Sequence, residues 1–369
     1  MSELEITQNT LKNWLDEKRP VYILDVRPQE EREDWFIPDS HHIDAYSDLK
    51  QGNGSKINQA DLPKDKPIVT VCGKGGTSLT AAEILGKKGF EAYSLQGGMK
   101  DWNFAWNTAE LTLKNSDTQI IQVRRSAKGC LSYIVGSRGE AMVVDAALNP
   151  DVYEKIADRN NWNITYVTDT HIHADYLSRT RELARVTGAK HILIEEAETD
   201  FDFISVKHNQ ILNFGSTQIR ILHTPGHTPE STSFLVDNTV LLTGDTLFTD
   251  GVGRPDLKAD KAEAREKADK LFESLQLIQS LPGETIILPA HISRPVPFDQ
   301  KMIQSTLSEL KSYLELLQLS KDEFIETTLK RIPEPPENYL IIAGLNKKGV
   351  WDGNQPADLE AGANRCAVA

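Results

Sequence analysis

Cysteine is scarce in this 369-residue chain, which holds only Cys72, Cys130 and Cys366. Three cysteines cannot build a disulfide framework. They fit a reducing cytoplasm, where a lone cysteine is either buried filler or a reagent. Long apolar runs are missing, so no segment reads as a membrane span. The opening Met1-Ser2-Glu3-Leu4-Glu5 has neither the basic nor the apolar region of a secretory signal. Basic charge is in deficit: 41 Lys and Arg face 54 Asp and Glu, a net charge of −13 at pH 7. That balance argues against nucleic acid or anionic membrane as a partner. Internal repeats and low-complexity tracts are absent as well. What remains is ordinary globular composition, at a length that suggests two domains.

Residues 1–107 read as a compact α/β unit. Apolar strands are expected over Val21 to Val26, Pro67 to Val71 and Ala92 to Leu95, with a helix from Leu79 to Lys88 stopped by Gly89. The second strand runs into Cys72-Gly73-Lys74-Gly75-Gly76-Thr77-Ser78. A cysteine there faces a Gly-rich loop that opens a helix. Backbone N–H groups turned inward and the helix N-terminus both favour thiolate over thiol, and Lys74 would add to them. A Gly-Lys-Ser/Thr ending is missing, so this is not a nucleotide phosphate loop. Glu30 to Asp34 reads as a solvated helix face, and His41 and His42 as surface residues.

Asp25-Val26-Arg27, the Cys72 loop and Gln96-Gly97-Gly98 followed by Trp102 together resemble a single rhodanese domain. The resemblance implies an α/β/α sulfurtransferase whose Cys72 carries sulfane sulfur as a persulfide, with Gly73 to Ser78 as the loop that cradles persulfide or oxyanion. One departure is Trp35-Phe36-Ile37-Pro38-Asp39-Ser40, where rhodaneses often show Gly-His-Ile-Pro-Gly-Ala.

Asn107 to Asp117 reads as a linker. Beyond it, strands recur at Gln119 to Val123, Leu131 to Val135 and Ala141 to Asp145, and later ones pair as hairpins across Gly215-Ser216 and Asp237-Asn238. The apolar run Ile164 to Val167 ends in Asp169-Thr170-His171-Ile172-His173-Ala174-Asp175-Tyr176. Alternate residues on extended backbone share a face, so two imidazoles and a carboxylate converge. That set is the usual one for zinc or non-haem iron. Three more polar groups follow at strand exits: His227 in a Pro/Gly-pinned turn, Asp245 after Leu241 to Gly244, and His291 after Ile286 to Ala290. An Asp placed after a buried strand is costly unless it is paired or bound to a cation. Strands with late helices suggest a four-layer α/β sandwich.

Over residues 118–345 the pattern resembles the metallo-β-lactamase superfamily, an αββα sandwich. Its metal motif maps onto His171, His173, Asp175, His227, Asp245 and His291, and its structural Asp onto Asp145. Thr243-Gly244-Asp245-Thr246-Leu247-Phe248, Gly251 to Asp256, and Pro335 to Lys347 resemble the persulfide dioxygenase branch. That resemblance implies one Fe(II) per chain on His171, His227 and Asp245, with His173 beside it. Arg254 would meet the carboxylate of a glutathione-type substrate. Where dinuclear members carry a second-site His, this chain has Tyr176, and a phenol is a poor zinc ligand at neutral pH. Asp175, Tyr176 and His291 would then lie around the ion rather than hold a second one. Ile292-Ser293 departs from the aromatic expected after His291. The implied reaction takes a low-molecular-weight persulfide and O2 to sulfite, with Cys72 exchanging sulfur with sulfite or thiosulfate. The alternative is a glyoxalase II-like zinc thioesterase fused to a sulfur carrier. Association into a homo-oligomer is left open.

Other residues carry bland expectations. His191, His208 and His223 read as surface or turn residues, and Cys130 as a small core residue. Phe298 to Leu319 reads as an amphipathic covering helix. Residues 346–369 read as a C-terminal tail, loosely ordered from Gly353 and including Cys366.

Overall fold

The computed structural model describes residues 4–114, 116–350 and 356–369. Met1 to Glu3 and the first tail positions, 353–355, lie outside them. Among the described residues the N-terminal sheet is five-stranded and parallel, in the order Glu5–Ile6, Ala92–Leu95, Ile68–Val71, Tyr22–Asp25, His41–His42. Its central strands are buried on both faces, as parallel strands covered by helices must be. The helix Gly76–Lys87 packs Ala81, Ala82 and Leu85 against one face, and Leu11 and Trp102 belong to the cluster on the other. The acidic helix Gln29–Asp34 buries no residue, as its charge run suggested. His41 stacks on Tyr22 at the sheet edge, and the His42 ring bonds the Arg27 carbonyl at 2.8 Å.

The second domain packs two sheets face to face. One is seven-stranded and runs from Ile204–Val206 through Lys190–Ile194, Asn163–Thr168, Glu140–Val144, Cys130–Ser137 and Gln119–Arg125 to Asn107–Thr112. The other, six-stranded, holds Ile211–Phe214, Thr217–His223, Thr232–Val236, Val240–Gly244, Ile286–Pro289 and Ser305–Thr306. Tyr133, Val135, Met142 and Val144 of the first sheet meet Ile219, Ile221, Phe234 and Leu242 of the second in one core. Outer cores cover the far faces, Tyr153 and Leu183 on one side and Leu271, Leu275 and Phe324 on the other. The result is an αββα sandwich.

Three expectations need correction. Asn107–Thr112 is no linker: it pairs antiparallel with Gln119–Arg125 along its whole length, and its burial alternates. Thr108, Glu110 and Thr112 lie on the more open face and even the buried Asn107 is polar, so the sequence lacked an apolar signal. Phe298 to Leu319 is not one helix. It divides into the strand Ser305–Thr306, the helix Leu307–Tyr313 and a short 3-10 turn, because a Thr306/Glu309 capping box starts the helix late. Nor is the described part of the tail loose. The strand Ala367–Val368 pairs with Val252–Gly253. Glu360 is fully buried in ion pairs with Arg125 and Arg179, each at 2.7 Å. Its carbonyl also accepts from Asn103 Nδ2 at 2.9 Å, which ties the segment to the N-terminal domain. The domains meet again where Trp35 Nε1 donates to the Ala127 carbonyl at 2.6 Å.

Candidate metal centre and sulfur site

Cys72 follows the strand Ile68–Val71 and is 2% exposed. Gly75 N–H donates to its Sγ at 3.1 Å, and the Ser78 hydroxyl lies 3.2 Å from the sulfur. Burial opposes ionisation of the thiol. The hydroxyls of Ser78 and Thr77 and the N–H groups of Ser78 and Lys74 outweigh it, so the thiol ionises below its ordinary range. Lys74 acts through its backbone N–H, and its exposed side chain lies at the rim of the cavity over the sulfur. The loop is clamped from behind: Met99 N–H donates to the Cys72 carbonyl at 2.8 Å and Lys100 N–H to the Gly73 carbonyl at 3.1 Å. Gly98, at φ 58°, makes this approach, and a Cβ there would lie 2.2 Å from the Cys72 carbonyl oxygen. A cavity of about 850 Å³ opens over the sulfur, lined by Arg27, Lys74 and Lys100, by Ala127 of the second domain and by Asp358 and Gly362 of the C-terminal segment.

In the second domain each expected metal-site residue sits at a strand exit. His171 follows Asn163–Thr168, His227 follows Thr217–His223, Asp245 follows Val240–Gly244, and His291 follows Ile286–Pro289. All four are buried. The turn carrying His227 is held against the helix Lys261–Gln279 through Gly226, at φ 141°, where a Cβ would come 2.4 Å from Leu271 Cα. His171, His227 and Asp245 each offer a ligand atom within 4.8 Å of the others. The Nε2 atoms of His171 and His227 lie 3.6 and 3.5 Å from Asp245 Oδ2.

The tautomers are set from outside. Asp145 accepts from Thr170 N–H at 2.6 Å and from the Thr170 hydroxyl at 3.0 Å, which leaves that oxygen to accept from His171 Nδ1 at 2.9 Å. His227 Nδ1 donates to the Arg254 carbonyl at 2.8 Å. Both imidazoles therefore turn a bare Nε2 inward. Burial, helped for His171 by the neighbouring imidazoles, keeps both rings below their ordinary pKa and so neutral. For Asp245 burial opposes ionisation, but His291 overrides it and lowers the carboxyl to about 2. His171 Nε2 and Asp245 Oδ2 are buried without a hydrogen-bond partner among the described residues. Orphaned lone pairs of this kind, on two imidazoles and one carboxylate, fit a cation.

His173 stands apart from this triad. Its Nε2 lies 3.0 Å from Asp145 Oδ1 and 2.8 Å from the Tyr176 hydroxyl, while its Nδ1 is buried and unpartnered. Tyr176 stacks on that ring and points its hydroxyl there, not toward His291. Asp175 Oδ2 lies 3.0 Å from His291 Nε2, and His291 Nδ1 is 2.5 Å from Asp245 Oδ1. Arg254 cannot serve as the substrate's carboxylate partner. Its five guanidinium N–H groups go to Asp256, twice, and to the carbonyls of Pro333, Glu334 and Arg365, and the residue is fully buried. Two cavities of about 450 Å³ reach the triad instead. One touches His171 and His173 beside Arg181 and Arg185, and the other touches His227 beside Lys258, Lys267 and Lys347. The three remaining histidines fall in none of the metal-competent groups; His191 stacks on Phe201, His223 N–H donates to His208 Nδ1 at 3.1 Å, and the His223 ring bonds the Pro229 carbonyl at 2.8 Å.

Residues 7–105 match the model of the rhodanese-like domain, and residues 125–291 that of the metallo-beta-lactamase superfamily. The chain is a rhodanese-like domain fused to a metallo-β-lactamase domain. The buried histidine and carboxylate groups that could hold a cation lie within or beside the matched residues 125–291. Among curated relatives, a hydroxyacylglutathione hydrolase of Francisella tularensis subsp. novicida is 30% identical over 161 residues, 43% of this chain. The match spans only 61% of that hydrolase. The persulfide dioxygenase ETHE1, mitochondrial, of Bos taurus is 27% identical over 231 residues, covering 60% of this chain and 86% of the relative. A crystal structure described as a metallo-beta-lactamase from Staphylococcus aureus superposes with a TM-score of 0.58 at 28% identity, over 65% of this chain and 74% of that one. ETHE1 from Myxococcus xanthus superposes with a TM-score of 0.53 at 23% identity, over 65% and 98%, which speaks to fold alone. Among the described residues, no helix of the fusion is long and apolar enough to cross a membrane.

Proposed function

We propose that the metallo-β-lactamase domain oxidises a low-molecular-weight persulfide of the glutathione type, and that Cys72 exchanges sulfane sulfur with the products. The overall change is RSSH + O2 + H2O → RSH + sulfite + two protons. The carrying observation is the His171/His227/Asp245 triad, with lone pairs turned inward and no second-site imidazole at position 176. A ferrous ion held by His171, His227 and Asp245 would supply the O2- and sulfur-binding chemistry that this oxidation needs. The chain's own residues do the rest. Thr170 and the Arg254 carbonyl hold the imidazole tautomers, and burial excludes bulk water. With Arg254 fully engaged, Lys258 and Lys267 beside His227 are the cations placed to meet a substrate carboxylate. At the other centre the Cys72 thiolate attacks the outer sulfur of thiosulfate, releasing sulfite and leaving a Cys72 persulfide. The reverse step consumes sulfite.

Oxygen uptake with glutathione persulfide is expected to vanish in His227→Ala, with metal affinity down more than about 100-fold, and to survive Cys72→Ala. Thiosulfate-to-cyanide sulfur transfer is expected to show the opposite dependence. The hydroxyacylglutathione hydrolase relatives favour a second reading, a zinc thioesterase. Hydrolysis of S-lactoylglutathione without iron or O2 uptake would establish that reading and overturn the first.

A further inference from the structure

The cavity over Cys72 is not built by the N-terminal domain alone. Part of its lining is the C-terminal segment, through Ala357, Asp358, Ala361 and Gly362. That wall is fixed in place. Glu360 is buried in its ion pairs with Arg125 and Arg179, Lys128 Nζ donates to the Gly362 carbonyl at 3.1 Å, and Arg365 pairs with Asp34 at 2.7 Å. At about 850 Å³ the cavity has room for a whole small molecule rather than a bare oxyanion.

Most charges around it are already engaged. Arg27 gives its guanidinium to Asp25 and to the carbonyls of Glu31 and Trp35. Asp34 holds Arg365, and Lys50 leans on the Tyr46 ring. Lys100 pairs with Asp358. The hydrogen bond from Lys100 and the charges of Lys100 and Lys74 hold the Asp358 carboxyl below its ordinary value. Two side chains remain uncommitted. Lys74 and Glu31 make no side-chain hydrogen bond or ion pair among the described residues, and Glu31 Oε2 lies 3.7 Å from where a Cβ on Gly73 would stand.

Without Asp358, Lys74 and Lys100 would offer two positive charges to any anion approaching the sulfur. The Asp358 carboxylate cancels one of them. A compact dianion such as thiosulfate is held less well for it. A zwitterionic thiol is not, because Glu31 and Asp358 can receive its ammonium while Lys74 receives a carboxylate.

We propose that Asp358 is a specificity-determining residue of the Cys72 site, one that turns sulfur exchange away from small dianions and toward low-molecular-weight thiols carrying an ammonium group. This rests on the reading of Cys72 as a sulfur-exchange centre and deepens it. In the favoured step the acceptor thiolate attacks the outer sulfur of the Cys72 persulfide. The S–S bond breaks, its electron pair leaves with the Cys72 thiolate, and the outer sulfur departs with its proton as the acceptor's persulfide. A residue from the far end of the chain thus sets substrate choice in the N-terminal domain.

Alkylation of Cys72 in the full chain by iodoacetate and by iodoacetamide, followed on the Cys72 peptide by mass spectrometry, tests the charge effect. The reagents are alike in size, and only the first is an anion. Asp358→Asn is expected to raise the iodoacetate-to-iodoacetamide rate ratio roughly two- to five-fold at low ionic strength, and high salt to erase the difference. Asp358→Glu is expected to keep the wild-type ratio. In steady-state sulfur transfer Asp358→Asn is expected to lower the KM for thiosulfate and to raise the KM for glutathione. An unchanged alkylation ratio overturns the proposal. So does an equal change in both alkylation rates, since the side chain would then only brace the wall, and so does a KM that moves the same way for both substrates. A wild type that turns over no thiosulfate and no glutathione would fell the sulfur-exchange reading itself, while the alkylation ratio still reports on Asp358.

Discussion

The two reactive regions are built in opposite ways. The Cys72 site is local: sulfur, cradle and helix N-terminus come from one continuous stretch, 72–78, with a clamp from the next loop. The metal centre is dispersed, its donors His171, His227 and Asp245 leaving three separate strands and their neighbour His291 leaving a fourth. A local site tolerates change elsewhere, while a dispersed site depends on everything that sets the strands in register. One segment breaks the separation. Residues 356–366 wall the Cys72 cavity with Asp358 and Gly362 and reach the metal centre with Asn364 and Cys366.

The sharpest way to break the contrast is to free that segment. Glu360→Ala removes the buried carboxylate that Arg125 and Arg179 both pair with, which costs about 3–5 kcal/mol. Urea unfolding should show that loss, and both oxygen uptake and sulfur transfer should fall; a variant that loses only one would mean the centres are uncoupled. Burial opposes ionisation of Glu360, but Arg125 and Arg179 depress its carboxyl below the ordinary value. Its contribution is therefore full above the unfolded pKa of about 4.3 and is lost as pH falls through the lower folded value. The wild type should lose more stability than Glu360→Ala over that acid window.

Gly98→Ala sharpens the contrast from the other side. A methyl group 2.2 Å from the Cys72 carbonyl, at positive φ, forces the clamp apart at about 1–3 kcal/mol. Sulfur transfer should drop severely while iron content and oxygen uptake stay at wild-type levels. Ser78→Ala is the mildest. It removes one hydroxyl from the sulfur, so the pH midpoint of Cys72 alkylation by iodoacetamide should rise toward that of an ordinary cysteine. An unchanged midpoint would assign the depression to the Thr77 hydroxyl and the backbone N–H groups.

Legibility followed the same division. The Cys72 loop could be read because its chemistry is written in consecutive residues. The strands delivering His171, Asp245 and His291 could be read because each is an apolar run ending in a polar ligand type. Arg254 misled because a motif arginine looks free until the carbonyls of Pro333, Glu334 and Arg365 are folded around it. Cys130 looked like filler, since nothing in its neighbourhood predicts that residue 291 pairs with it. Glu360, Asn364 and Cys366 gave no signal, being single polar residues in a Gly/Ala-rich stretch.

Composition and periodicity by themselves determined two α/β domains, the places where strands end and the residue types waiting there, because hydrophobic alternation and turn chemistry act over a few residues. Tertiary structure alone decided which of those groups meet, which lone pairs are left bare and which arginine is already spent. Those outcomes depend on contacts between residues hundreds of positions apart, and on burial that makes an unpaired polar atom costly.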